Sequence, residues 1–117
     1  MRYANCGHID ALILRRNNTV EHLNSTCGLI GLFKDWVCSA KGCVLDSDDI
    51  LLLCSDGVTE SFNHLGEDFG EQRLTEVLQK YRDLPPQAII RSIVEDVQRF
   101  TDEEQHDDMT LIAAKCR

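Results

Sequence analysis

Ile50 to Cys54 is an unbroken apolar run set between Asp48-Asp49 and Ser55-Asp56-Gly57. A run this short, closed at both ends by turn-forming residues, reads as a strand buried on both faces. After it the hydrophobic period changes. Leu74, Val77, Leu78 and Tyr81 fall at i, i+3, i+4 and i+7 and draw one apolar stripe along a helix. Pro85-Pro86 stops that helix and suits the first turn of the next, whose stripe is Ile89, Ile90, Ile93, Val94, Val97 and Phe100. Thr101 to His106 is polar and ends the second helix, and Met109 to Ala114 reads as a final short strand. Upstream, Ala11 to Arg15 is a strand run closed by the turn signal Arg15-Arg16-Asn17-Asn18, and Thr19 to Leu23 alternates weakly. Trp36 to Leu45 favours strand but is broken at Lys41-Gly42 by a bulge or a tight turn. Strands, two consecutive helices and a strand predict an α+β fold, an antiparallel sheet with a helix pair on one face.

The length of 117 residues fits one domain, so the whole span 1–117 is read as a single unit. Twelve basic residues against 20 acidic ones leave a formal charge of −8, which argues against binding to nucleic acid phosphates and suits a cation site built from carboxylates. No apolar run approaches the roughly 20 residues that span a bilayer. Met1 to Asn5 has no apolar signal core, which predicts a cytoplasmic chain with no membrane contact in this segment. The six cysteines, Cys6, Cys27, Cys38, Cys43, Cys54 and Cys116, are irregularly spaced and include no Cys-x-x-Cys pair. In a reducing compartment they are expected as free thiols.

The chemistry-bearing candidates are acidic groups at strand ends. Asp56 follows the Ile50 to Cys54 run, and Asp107-Asp108 precedes the last strand. If those strands pair antiparallel, both sets of carboxylates project at one edge of the sheet. Clustered carboxylates repel unless a cation lies between them, and Mg²⁺ or Mn²⁺ prefers oxygen ligands. Gly57 would let its carbonyl approach the ion with no side chain in the way. Taken singly, Asp56-Gly57 is ordinary turn chemistry and Asp107-Asp108 an ordinary solvated pair. Asp46-Ser47-Asp48-Asp49 resembles the start of a calcium loop but lacks its glycine and its later glutamate, and is expected as a solvated turn. His8 alone reads as a turn or surface residue, and His22, His64 and His106 form no metal-binding spacing.

Five segments taken together carry a resemblance. They are Tyr3-Ala4-Asn5-Cys6-Gly7-His8, Gly28-Leu29-Ile30-Gly31-Leu32-Phe33, Ser55-Asp56-Gly57-Val58-Thr59-Glu60, Phe69-Gly70-Glu71-Gln72-Arg73-Leu74 and Asp107-Asp108-Met109-Thr110-Leu111. In this order they resemble the C-terminal half of the PPM-type phosphatases, in the bacterial branch of the sporulation stage II protein E and the stress-response regulators of sigma factors. The resemblance implies a β-sandwich flanked by helix pairs, and hydrolysis of phosphoserine and phosphothreonine on proteins with two Mn²⁺ or Mg²⁺ ions. It implies Asp56 and Asp107 as metal ligands, not nucleophiles, with Asp108, Asn5, Gly7 and His8 supporting near the site. It further implies a phosphorylated regulatory protein as partner, by analogy an anti-anti-sigma factor.

The family's further acidic ligands belong to an N-terminal half that does not precede Tyr3. The chain is therefore expected to be the C-terminal portion of a domain. It acts as an enzyme when the domain is complete, or else serves as an inactive regulatory or protein-binding module. Missing strands would leave open sheet edges, through which copies could associate.

Overall fold

The structure is a computed structural model and describes residues 2–3, 11–23, 41–101 and 109–116. In chain order the elements are β1 (Arg2–Tyr3), β2 (Ala11–Leu14), β3 (Val20–Leu23), β4 (Lys41–Gly42), β5 (Ile50–Cys54), α1 (Asp56–Thr59), α2 (Gly70–Lys80), α3 (Pro86–Thr101) and β6 (Leu111–Lys115). β3, β2, β5 and β6 form one sheet in that order, with every pair antiparallel. β1 and β4 form a separate two-stranded antiparallel ladder. The expected α+β architecture is what the chain adopts.

Alternation along the strands decides which side chains meet the helices. Leu12 and Leu14 of β2 and Ile50, Leu52 and Cys54 of β5 join one core with Leu74, Val77 and Leu78 of α2 and Ile89, Ile93 and Val97 of α3. Leu111 and Ala113 of β6 pack against this core from the sheet margin. The opposite face carries Ile13, Leu51, Leu53, Ile112 and Ala114, paired across the sheet as Ile13 with Leu51, Leu51 with Ala114, and Leu53 with Ile112. Burial there is uneven, since Ile13 is fully buried and Ile112 is 56% exposed. The expectation that β5 is buried on both faces holds for the helix side only, where Ile50, Leu52 and Cys54 are buried, while Leu51 and Leu53 on the other face are half-buried. The second face of β5 is covered only in part.

α3 begins at Pro86 and ends at Thr101 as the sequence predicts, while α2 ends at Lys80, short of the Pro85-Pro86 stop. α2 buries Leu74, Val77 and Leu78, and its last turn closes with the Tyr81 N–H donating to the Val77 carbonyl at 3.0 Å. Pro86 is the first residue of α3, where its missing N–H costs nothing. Lys41-Gly42 departs from expectation. It is neither bulge nor tight turn but strand β4, because its backbone is extended and pairs with Arg2–Tyr3. The positive-φ glycines among the described residues are Gly66 and Gly70.

The Asp46 to Asp49 segment also corrects a prediction. Asp46, Ser47 and Asp48 are exposed turn residues, but Asp49 is 2% exposed and far from solvated. Its carboxylate accepts from Arg15 Nη1 at 2.8 Å, the Arg16 N–H at 2.9 Å and the Asp46 N–H at 2.8 Å. Arg15 in turn donates from Nε to Glu21 at 2.6 Å. A lone carboxylate could not be buried here, and this one is kept charged by three donors.

A candidate metal-binding edge at the ends of β5 and β6

The end of β5 is held in a stiff frame. Val58 of α1 is fully buried in the core, so the short helix is anchored from below. The Val58 N–H donates to the Ser55 carbonyl at 3.1 Å and the Glu60 N–H to the Asp56 carbonyl at 2.8 Å. Ser55 precedes α1 with extended backbone, yet its hydroxyl does not cap the helix. It accepts from the Thr110 N–H at 3.0 Å, while the Ser55 N–H donates to the Thr110 carbonyl at 2.9 Å. This reciprocal pair continues the β5–β6 ladder, which ends with Cys54 opposite Leu111. The antiparallel pairing on which the sequence argument depended is therefore present.

Asp56 lies at this edge, exposed, in the first turn of α1. Among the described residues nothing donates to its carboxylate. Asp107 and Asp108, like Asn5, Gly7 and His8, lie outside the described residues. The Gly57 carbonyl, expected to be open to a cation, accepts a hydrogen bond from Ser61 Oγ at 2.5 Å. One of its lone pairs is thus already used within the chain.

One contact at this edge escaped the sequence reading. Glu71, in the first turn of α2, contacts His22 Nε2 of β3. The Cys54 thiol registers the local charge. Burial raises its pKa first, the carboxylates of Asp56 and Glu71 add to this, and together they push it to about 11. Asp56 and Glu71 thus act on one buried atom although they are far apart in sequence. No spacing rule connects His22 to Glu71, because the contact exists only once β3 and α2 flank the same end of the sheet.

An open cavity of about 860 Å³ lies elsewhere, lined by Arg15, Arg16, Glu21, Asp46 and Asp49 among others. Asp49 opens β5 and Asp56 follows its end, so the two are separated by roughly 17 Å of strand. The acidic group in that cavity is already saturated by its own donors. The donor chemistry at Asp56 suits a hard divalent cation, an exposed carboxylate oxygen on a rigid strand end. Its donor number does not suffice alone, for among the described residues no group of three or more His, Cys, Asp or Glu is arranged to hold a metal ion.

Similarity to known proteins bears on this edge. The chain is 27% identical over 113 residues to Protein IcfG of Synechocystis sp., covering 97% of this chain and 18% of that protein. It is 27% identical over 115 residues to the phosphoserine phosphatase RsbU of Bacillus subtilis, covering 97% of this chain and 34% of the relative. Its fold superposes on the SiaA-PP2C domain of Pseudomonas aeruginosa with a TM-score of 0.79 at 19% identity, spanning 99% of this chain and 46% of that one. On the phosphatase domain of SpoIIE from Bacillus subtilis the TM-score is 0.68 at 23% identity, over 97% of this chain and 49% of that one. The chain thus spans a fifth to a third of those relatives and about half of those domains. It has the fold of part of a PP2C-type phosphatase domain. The family model for Stage II sporulation protein E (SpoIIE) matches residues 1–117, and the chain belongs to that family.

Proposed function

We propose that this chain is the C-terminal portion of a metal-dependent protein phosphatase that removes phosphate from phosphoserine or phosphothreonine on a cytoplasmic regulatory protein, by kinship an anti-anti-sigma factor. The observation that carries this reading is the Ser55–Thr110 reciprocal pair beside Asp56. It puts the chain just after Asp107-Asp108 against the strand end that presents Asp56. In this proposal Asp56 and Asp107 are ligands, with Asp108, Asn5, Gly7 and His8 supporting. Gly57 contributes by letting α1 start tightly after β5, and any carbonyl contact to an ion uses its remaining lone pair. The other ligands belong to the rest of the domain.

Two Mn²⁺ or Mg²⁺ ions held there would supply an activated water and neutralise charge developing on the phosphoryl oxygens. The chain's own residues fix geometry. Val58 anchors α1 in the core, and the β5–β6 ladder sets Leu111 opposite Cys54, two residues before Asp56. No covalent phosphoenzyme is required of Asp56.

The test is phosphate release from a phosphoserine protein by the complete domain. Release should depend on Mn²⁺ or Mg²⁺ and fall by at least about 100-fold in Asp56→Asn. Equal turnover with excess chelator overturns it. The alternative reading is a catalytically silent binding module. Calorimetric titration of the complete domain separates the two, since a silent module takes up Mn²⁺ weakly or not at all.

A further inference from the structure

Between α1 and α2 the chain makes a ten-residue loop, Glu60 to Phe69, that buries Phe69 in the core and yet displays Phe62 and Leu65 to solvent. Phe62 is 64% exposed and Leu65 is 70% exposed. The backbone beneath them is closed like a hairpin. Phe62 and Asp68 form a bridge, the Asn63 N–H donates to the Glu67 carbonyl at 3.0 Å, and the Gly66 N–H donates to the Asn63 carbonyl at 3.0 Å. Asn63 Oδ1 accepts from the N–H groups of Leu65 at 2.9 Å and Glu67 at 3.0 Å, and Gly66 takes the turn at φ 81°. Arg73 ties the loop to α2 by donating to the carbonyls of Asp68 at 2.6 Å and Phe69 at 3.2 Å.

Both stems of this loop lead to the Asp56 edge. Ser61 Oγ donates to the Gly57 carbonyl at 2.5 Å, next to Asp56, and the Phe69 N–H donates to the Ser61 carbonyl at 2.6 Å, which holds the second stem beside the first. Burying a phenylalanine or a leucine is favourable, so holding two of them outward on a hydrogen-bonded frame makes sense as a surface for another molecule. The charge around them selects the occupant. Asp56, Glu60, Glu67, Asp68 and Glu71 are all exposed, and the nearby cation Arg73 is already paired with Glu67. A second copy of this chain would bring the same acidic rim and its own charge of −8. A segment that combines apolar side chains with lysine or arginine meets both the ridge and the rim.

We infer that Phe62 and Leu65 form a docking ridge for the protein segment that carries the phosphorylated residue, recognising apolar side chains flanked by basic ones. This inference rests on the phosphatase reading for what the segment carries, but the ridge itself is a matter of binding. Occupancy of the ridge positions the phosphate over the Asp56 edge and gives selectivity that the metal chemistry alone lacks.

The test is fluorescence anisotropy on the full-length protein in the presence of EDTA, so that no turnover intervenes. The probe is a dansyl-labelled phosphoserine peptide with leucines and lysines beside the phosphoserine, compared with a peptide in which glycines replace the leucines. The leucine peptide is expected to bind about tenfold tighter, and Phe62→Ser/Leu65→Ser is expected to abolish that preference. Leu65→Ser alone, at the loop tip, is expected to remove part of it with unchanged thermal unfolding. The inference is overturned if the wild-type protein shows no preference or if the variants keep it. It is equally overturned if the double variant lowers the mass in light scattering, which assigns the ridge to a second copy, or lowers the melting temperature, which assigns it to packing within the domain. Hydrolysis of p-nitrophenyl phosphate by the wild-type protein with Mn²⁺, measured separately, reports on the phosphatase reading and leaves the peptide preference to be judged independently.

Discussion

At the scale of single residues, Asp49 shows how much one carboxylate can organise. Burial pushes its pKa up, but hydrogen bonds from Arg15 and from the N–H groups of Asp46 and Arg16 outweigh burial and hold it below its usual value of 3.8. A depressed folded pKa means that the stabilising contribution is fully present above about pH 4 and is lost as the pH falls through the lowered value. Asp49→Asn should therefore cost about 3 kcal/mol at pH 7 in urea unfolding, and progressively less as the pH falls through the lowered value, where the wild-type protein loses the same interaction. A pH-independent difference would show that the charge is immaterial. Cys54 offers a second check. With its thiol buried and pushed up to about 11, it should react with a thiol-specific disulfide reagent at pH 8 far more slowly than the half-buried Cys43 and Cys116. Mass mapping of the modified peptides reads this directly.

At the scale of elements, the stripes and stops that were legible in the chain are those set by local rules. The α2 and α3 stripes and the Pro86 start follow from helical period and proline geometry. Gly70 was legible only as part of a motif, but the structure assigns it a job. It begins α2 at φ 76°, and a Cβ added there would meet nothing within 4 Å. The cost of Gly70→Ala is therefore conformational alone, about 1–2 kcal/mol, visible as a lowered denaturant midpoint with an unchanged slope. Ile93, fully buried in the middle of α3, lies at the other extreme. Ile93→Ala leaves a cavity between helix and sheet and should cost about 2–5 kcal/mol in the same measurement. The element that misled was Lys41-Gly42. Its composition signals a break, while its pairing with Arg2–Tyr3 makes it a strand. A strand two residues long carries no period to read.

At the scale of the whole molecule, the sheet has one face closed by helices and one face only partly covered. Ile112, 56% exposed, lies on the second face opposite half-buried Leu53, and among the described residues β6 and β3 are the sheet's margins. An apolar face beside an unpaired strand edge promotes association. The 117-residue chain, prepared alone, should show a mass in light scattering that rises with concentration, and Ile112→Lys should reduce that rise by placing a charge on the open face. A monomer at all concentrations would mean that the second face needs no cover. No helix among the described residues is long and apolar enough to cross a membrane. The phosphatase reading concerns a complete domain, and this chain spans about half of the solved phosphatase domains it resembles.

The chain's own pattern determined the helix pair, its proline boundary, the buried β5 run and the nomination of Asp56, because period, capping and turn chemistry are written within a few neighbouring residues. It could not determine that Asp49 is a buried ion-pair partner of Arg15, that Glu71 meets His22 beside Cys54, or that the Asn63 turn holds Phe62 and Leu65 outward. Each of these depends on segments brought together by the sheet or by a closed loop. A side chain's burial and charge environment are properties of those contacts, and only the tertiary structure supplies them.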